Sequence, residues 1–262
     1  MAAKTVLITG ASSGIGYAFA EIFARNKYPL VLIARREKEL QELKKKCEEH
    51  TKNIRIIVKD LAQPNAAEDI YKEIKKENIQ VDILINNAGF GDYGSFYKTS
   101  WEKEAAMIQV NIVTLTQLAK LFGQDMLQRQ DGIIMNVSSV AAFLPGPLMS
   151  VYYATKAYVL SLSEAMMHDV EGTNVKVIAL CPGMTKTGFQ QVAGFQEKPE
   201  NEKQMISAAE VAAYGFKVIQ EGKSGIAIPG WKNKVIARVG WLFPRSFVAK
   251  LILYVQSGRK KE

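Results

Sequence analysis

Short apolar runs alternate with longer amphipathic ones along most of this chain. Runs rich in Val, Ile and Leu occupy 5–9, 30–34, 54–59, 81–85, 132–137, 175–181 and 225–228. They are short and bounded by turn residues, which predicts strands. Several are apolar at nearly every position, as expected where helices cover both faces of a parallel sheet. Between them, apolar residues recur at helical spacing over 14–26, 36–50, 64–77, 101–127, 151–171 and 208–221. This β-α alternation, sustained to residue 228, predicts one α/β domain built on a doubly wound parallel sheet. The loop at 184–207 and the segment after 230 depart from it.

After residue 230 the pattern becomes two short helices. Val235, Val239 and Leu242 share one helical face beside Lys234 and Arg238, and Pro244 interrupts. Phe247, Val248, Leu251, Ile252 and Val255 then form a second apolar face, ending in Arg259-Lys260-Lys261. The domain expected is therefore 1–230, followed by a basic amphipathic helical extension over 231–262. Two readings of the extension stand side by side: it packs over a pocket or a second subunit, or it lies on an anionic membrane surface.

Charge sharpens this division. The chain's formal charge is +8, but eight basic residues and one acidic residue fall within 231–262, leaving the body nearly neutral. A nucleic-acid enzyme would show basic residues interleaved with aromatics along its body, so no nucleic-acid partner is expected. Cys47 and Cys181 are far apart, and His50 and His168 form no ligand cluster, so neither a disulfide framework nor a metal is expected. No stretch reaches the run of about 18 apolar residues that a spanning helix needs, so no membrane span is expected. Met1–Lys4 passes at once into the first strand, so we expect no secretory leader and a reducing, cytoplasmic setting.

The first strand ends in Thr9-Gly10-Ala11-Ser12-Ser13-Gly14-Ile15-Gly16, and a helical pattern follows directly. Glycines there permit a tight turn, a close backbone approach to a pyrophosphate, and close packing of helix on sheet. The helix N-terminus offers free N–H groups to phosphates. The spacing T-G-x-x-x-G-x-G resembles that of the short-chain dehydrogenase/reductase family, a Rossmann-type fold. Further positions carry the same resemblance: Asp60-Leu61 after the third strand, Asn86-Asn87-Ala88-Gly89 after the fourth, and Asn111 in the following helix. Ser139 precedes Tyr152-x-x-x-Lys156, and Pro182-Gly183-Met184-Thr185-Lys186-Thr187 follows the sixth strand. Around Phe90-Gly91 and Ile228-Pro229-Gly230-Trp231 the chain looks like the DltE-like branch.

The resemblance implies a nicotinamide cofactor held by Gly10, Ser12, Ser13, Gly14, Ile15, Gly16, Asp60, Leu61, Asn87, Ala88, Gly89, Tyr152, Lys156, Pro182, Gly183, Thr185 and Thr187. It implies a catalytic set of Ser139, Tyr152, Lys156 and Asn111, and a homodimer or homotetramer formed through 101–127 and 151–171. NAD-binding domains place a carboxylate after the second strand, whereas this chain has Arg35-Arg36. Guanidinium groups cannot accept the ribose hydroxyls but can grip a 2′-phosphate, so NADP(H) is expected. Arg35 sits at the carboxylate position itself, while Arg36 reads equally well as a solvated helix charge.

Tyr152 and Lys156, four residues apart, share one helix face. A phenol ordinarily ionises near pH ~10, and a neighbouring ammonium lowers that value. The pair could then exchange a proton with a substrate oxygen, with Ser139 donating a second bond and Asn111 anchoring water. Tyr153 and Ser138 are the adjacent competitors. The loops bearing Phe90, Tyr93, Phe96, Phe143, Leu144, Met149, Phe189, Val192 and Phe195 suit a small hydrophobic ketone or secondary alcohol, steroid-like or fatty-acyl. Lys98, Lys186 and Lys198 are the cations nearest that lining. The alternative is a non-catalytic NADP-binding regulator on the same scaffold.

Overall fold

A computed structural model describes residues 4–196, 205–258 and 260–261; Lys198 and Arg259, named above, lie outside them. Seven parallel strands form the main sheet: β1 (Val6–Thr9), β2 (Leu30–Ala34), β3 (Ile54–Val58), β4 (Ile83–Asn86), β5 (Gly132–Val137), β6 (Val175–Leu180) and, late in the chain, β10 (Gly225–Ala227). Their spatial order is β10-β6-β5-β4-β1-β2-β3. The strand order reverses between β1 and β4, the switch point at which ligands bind open α/β sheets.

Helices α1 (Gly14–Arg25), α2 (Glu37–Cys47), α3 (Ala66–Lys76), α4 (Trp101–Ile108), α5 (Leu115–Gln128) and α6 (Ser150–Asp169) follow the strands in turn. Strand alternation divides the core in two. Val6, Ile8, Leu30 and Leu32 point to one face with Phe19 and Phe23 of α1, while Leu7, Val31 and Ile33 point to the other with Ile70 and Phe122. On the first face lies α8 (Ala208–Glu221), closed by a capping box of Ser207 and Glu210. A Cβ on its Gly215 would stand 2.6 Å from Phe19, so glycine is what lets α1 and α8 approach.

The 184–207 region, expected to be a loop, contains β7 (Thr185–Lys186), the short α7 (Phe189–Ala193), β8 (Phe195–Gln196) and β9 (Ile206–Ser207). β7 pairs with β9 in parallel. The extension folds as α9 (Trp231–Leu242) and α10 (Arg245–Ser257), and β11 (Lys260–Lys261) returns to pair antiparallel with β8.

Two expectations need correcting. Helix 101–128 is interrupted by a π-helical turn at Gln109–Thr114, which the even apolar spacing does not signal. The same helical run, Trp101–Gln128, has an 18-residue window of mean hydropathy 1.3, enough by length and composition to cross a membrane. Here it instead lays Leu118, Ala119 and Phe122 against the sheet. Cys47 and Cys181 are both free and buried, and among the described residues no group of acidic, His or Cys side chains could hold a metal.

Candidate active site

The carboxyl ends of β1 and β4 are knitted together by Thr9 and Asn87. Thr9 Oγ1 accepts from the backbone N–H groups of Asn87 and Ala88, each at 3.0 Å, and Asn87 Nδ2 donates to the Thr9 carbonyl at 2.9 Å. The turn they brace leaves no room for side chains. Gly10 has φ +67°, and a Cβ there would lie 2.8 Å from Ala88 Cα; a Cβ on Gly16 would strike the Gly10 carbonyl. Ser13, at the N-cap of α1, makes no side-chain cap bond, so the first-turn amides remain available to an anion. This cradle fits a dinucleotide pyrophosphate.

Arg36 donates through Nε and Nη2 to Ser12 Oγ at 3.3 and 3.0 Å, placing its guanidinium at the rim of the same turn. Arg35 is exposed. Asp60 caps its own turn by accepting from Ala62 N at 3.0 Å, and the Leu61 carbonyl accepts from Thr114 Oγ1 at 2.8 Å. The Thr187 side chain closes on Gly14, where a Cβ would meet it at 3.1 Å. Thr185 Oγ1 donates to the Gly183 carbonyl at 3.0 Å. Segments far apart in sequence thus meet around one turn.

A buried polar ladder fixes the helix that carries Tyr152 and Lys156. Asn86 Nδ2 donates to Asn136 Oδ1 and Asn136 Nδ2 to Ser163 Oγ, both at 3.0 Å, joining β4, β5 and α6. Lys156 then reaches under the sheet end, where Nζ donates to the Val137 carbonyl at 2.9 Å with 5% of the residue exposed. Burial lowers its ammonium pKa from the ordinary 10.5 to about 8. Nζ also lies 5.9 Å from the centre of the Tyr152 ring. Gly89 passes so close that a Cβ would lie 3.0 Å from Asn111 Oδ1 and 3.3 Å from Lys156 Nζ.

Asn111 sits in the π turn, fully buried. Its amide donates to the Phe90 carbonyl at 3.0 Å and to Thr155 Oγ1 at 3.1 Å, and accepts from Phe90 N at 3.2 Å. The bonds tie the loop after β4 to α6. The side chain thus bonds other elements and not its own helix backbone.

The adjacent competitors part company in three dimensions. Ser138 is buried and donates to the Lys156 carbonyl at 2.8 Å, a bond internal to the scaffold. Ser139, only half-buried, accepts from Ala141 N at 3.1 Å and reaches the Pro182 carbonyl at 3.4 Å. Tyr153 OH accepts from Gln256 Nε2 at 3.0 Å, whereas the Tyr152 ring lies beside Lys156 and 5.1 Å from that of Phe189.

Of the predicted lining, Tyr93, Met149 and Phe195 form a buried cluster with Ala193, against which Tyr152, Tyr153 and Phe189 pack. A Cβ on Gly91 would strike the Phe189 ring at 2.7 Å, so this glycine makes room for it. Phe90 packs instead against the α3–α5 side of the core. Phe143 borders a groove beneath α9, and Phe96 and Val192 are exposed. Sequence reasoning missed Gln256: its carbonyl accepts from Tyr93 OH at 2.7 Å, and its amide donates to Tyr153. The available signal was a lone amide in an apolar helix.

Comparison with known proteins agrees with this geometry. The short chain dehydrogenase family model matches residues 4–198. A 7beta-hydroxysteroid dehydrogenase of Mediterraneibacter gnavus is 30% identical over 232 residues, covering 87% of this chain and 86% of the relative. Very-long-chain 3-oxoacyl-CoA reductase-A of Danio rerio is 28% identical over 243 residues, covering 90% and 75%. Among solved structures, a short-chain dehydrogenase from Sphingobium yanoikuyae in complex with NADPH superposes with TM-score 0.80 at 32% identity, covering 91% and 95%. One from Burkholderia phymatum in complex with NAD gives 0.79 at 26% identity, covering 90% and 92%. Fold and site together define a nucleotide-dependent oxidoreductase. The chain belongs to the short-chain dehydrogenase family.

Proposed function

We propose that the protein is an NADP(H)-dependent oxidoreductase that interconverts hydrophobic ketones and secondary alcohols, steroid-like or fatty-acyl in character. The observation that carries this reading is the buried Lys156 ammonium, bonded to the Val137 carbonyl, 5.9 Å from the centre of the Tyr152 ring and packed with Asn111 against Gly89. A nicotinamide held at the glycine turn would supply or accept the hydride. Tyr152 gives its phenolic proton to the substrate oxygen as that oxygen gains charge, and takes it back in the oxidative direction. Lys156 favours the phenolate by its charge and would hold the cofactor ribose. Ser139 donates a second hydrogen bond to the same oxygen. Asn111 sets the loop and helix in register and has one Oδ1 lone pair left to anchor water.

Cofactor choice rests on the two arginines. Each charge-assisted bond to a 2′-phosphate contributes about 1.5–3 kcal/mol, and Arg36 is already held at the turn. Support for the substrate class comes from the apolar cluster around Tyr152 and from the steroid and 3-oxoacyl-CoA relatives. In this reading residues 1–230 carry binding and chemistry. The 231–262 extension meets the surroundings, a peripheral membrane contact included, and the protein works as a cytoplasmic homodimer or homotetramer. A non-catalytic NADP-binding regulator has no specific observation in its favour, since Ser139, Tyr152, Lys156 and Asn111 are all present.

Tyr152→Phe tests the reading. Turnover on a panel of hydrophobic ketones should fall by at least about 10²-fold, the lower end for acid-base catalysis. NADPH binding, followed by fluorescence, should stay within a few-fold. Retention of more than about a tenth of wild-type turnover would remove Tyr152 from the acid-base role.

A further inference from the structure

Helices α9 and α10 break the rule that an amphipathic helix turns its apolar face to protein. Of the nineteen large hydrophobic residues exposed among the described residues, ten lie between Trp231 and Val255. On α10 the buried positions are Val248 and Gln256, while Phe247, Leu251, Tyr254 and Val255, spaced as one helical stripe, face solvent. Trp231, Val235 and Leu242 of α9 are likewise exposed, and the Phe243 and Phe247 rings, 5.8 Å apart, join the two exposed faces across Pro244. A monomer seldom leaves so much contiguous apolar surface without a use for it.

The surroundings of this surface are cationic. Lys232, Lys234, Arg238, Arg245 and Lys250 are all exposed. No acidic residue occurs between Trp231 and Gly258, and no ion pair among the described residues involves any of the five. Lys234 and Arg238 also line an open groove of about 460 Å³ whose other walls are Phe143, Tyr214, Ile226, Ile228 and Ala237. A two-fold contact between copies would lay this surface on itself, cation against cation, which costs rather than gains. Apolar side chains rimmed by unneutralised cations instead complement acyl chains beneath anionic headgroups.

We infer that α9 and α10 form a docking surface for an anionic phospholipid bilayer. The inner side of this surface is joined to the substrate site: Gln256 bonds Tyr93 and Tyr153, and β11 is stitched to β8 beside Phe195. Docking therefore sets the mouth of the Tyr152 cleft at the membrane, where a lipid-like ketone resides. The inference deepens the proposed reductase reading by naming its partner, and depends on that reading only for the kinetic consequence.

The test uses the full chain with vesicles of phosphatidylcholine alone or mixed with phosphatidylglycerol. Co-sedimentation is expected with the mixed vesicles at low salt and not with the neutral ones. It should be largely lost in about 1 M salt, where the screening length is about 3 Å. Lys234→Glu with Arg238→Glu, and separately Phe247→Ser with Leu251→Ser, should each weaken vesicle binding at least about tenfold. All are exposed and outside the catalytic set, so turnover of a small water-soluble ketone should be unchanged. Absence of binding at low salt overturns the inference, as does binding that neither variant weakens. Variants that dissociate the protein into smaller species without weakening vesicle binding assign the surface to a second copy and also overturn it. Intact vesicle binding with no ketone turnover in the wild type would sink the reductase reading alone.

Discussion

At pH 7 a buried lysine must either keep its proton at a cost or give it up. Lys156 has a folded pKa of about 8 against the ordinary 10.5, because burial penalises the charge. Between those values the unfolded chain binds a proton that the folded chain does not, so stability rises with pH across that window. Below about 8 both states are charged and the folded one bears the full penalty. Lys156→Met should therefore abolish ketone reduction while stabilising the protein at pH 7. The relief is partly offset by the lost bond to Val137, leaving about 1–2 kcal/mol and a Tm a few degrees higher. Calorimetry showing a lower Tm would mean that the ammonium is not under strain. Arg35 and Arg36 carry the cofactor prediction. Arg35→Asp or Arg36→Asp should weaken NADPH at least about tenfold, one lost charge-assisted bond, and weaken NADH less. Equal shifts in both dissociation constants, measured by fluorescence titration, would refute a 2′-phosphate role. At the scale of single residues a motif fixes only an offset, and that offset selects Ser139 and Tyr152. The environments that distinguish them from Ser138 and Tyr153 were not legible, because those contacts span Lys156, Pro182 and Gln256.

Strands and helices were legible to within two or three residues because each has one consistent environment. All seven main strands pair in parallel and most are buried on both faces, which is what the unbroken apolar runs recorded. The π turn at Gln109–Thr114 was hidden because it arises from Asn111 reaching Phe90 and Thr155, not from local propensity. The small strands of the 184–207 region were hidden for a similar reason: each consists of two residues paired at long range. On α10 the sequence pattern marks an apolar face but not what covers it. Val248 is buried and Val255 exposed, while the amide of Gln256 faces inward with 2% of the residue exposed. Gln256→Leu keeps the bulk but removes the amide bond to the Tyr153 hydroxyl, a loss of about 0.5–1.5 kcal/mol. The KM of a bulky hydrophobic ketone should rise several-fold, with kcat on a small ketone and NADPH affinity unchanged. Tyr153→Phe alone should raise the same KM, since it removes the other half of this bond. A fall in kcat for every substrate would mean that Gln256 acts on the chemistry rather than the pocket.

Over the whole molecule, the helices expected to pair subunits do leave apolar groups outside: Trp101, Val113 and Tyr158 are exposed on the α4–α6 side. Sedimentation velocity at micromolar concentration should show a dimer or tetramer, and Trp101→Glu with Tyr158→Glu should shift it toward monomer. A wild type that sediments only as monomer would contradict this. The antiparallel pairing of β8 with β11 has a consequence for how the chain is made. Every strand of the main sheet is synthesised before Lys260 and Lys261, so the glycine turn, Asn111 and Lys156 emerge from the ribosome first. Phe195 and Gln196 still wait for Lys260 and Lys261. At about 5–20 residues per second, the ribosome takes seconds to deliver that last partner. A nascent chain thus owns a place for its nucleotide before its substrate cleft has a finished wall.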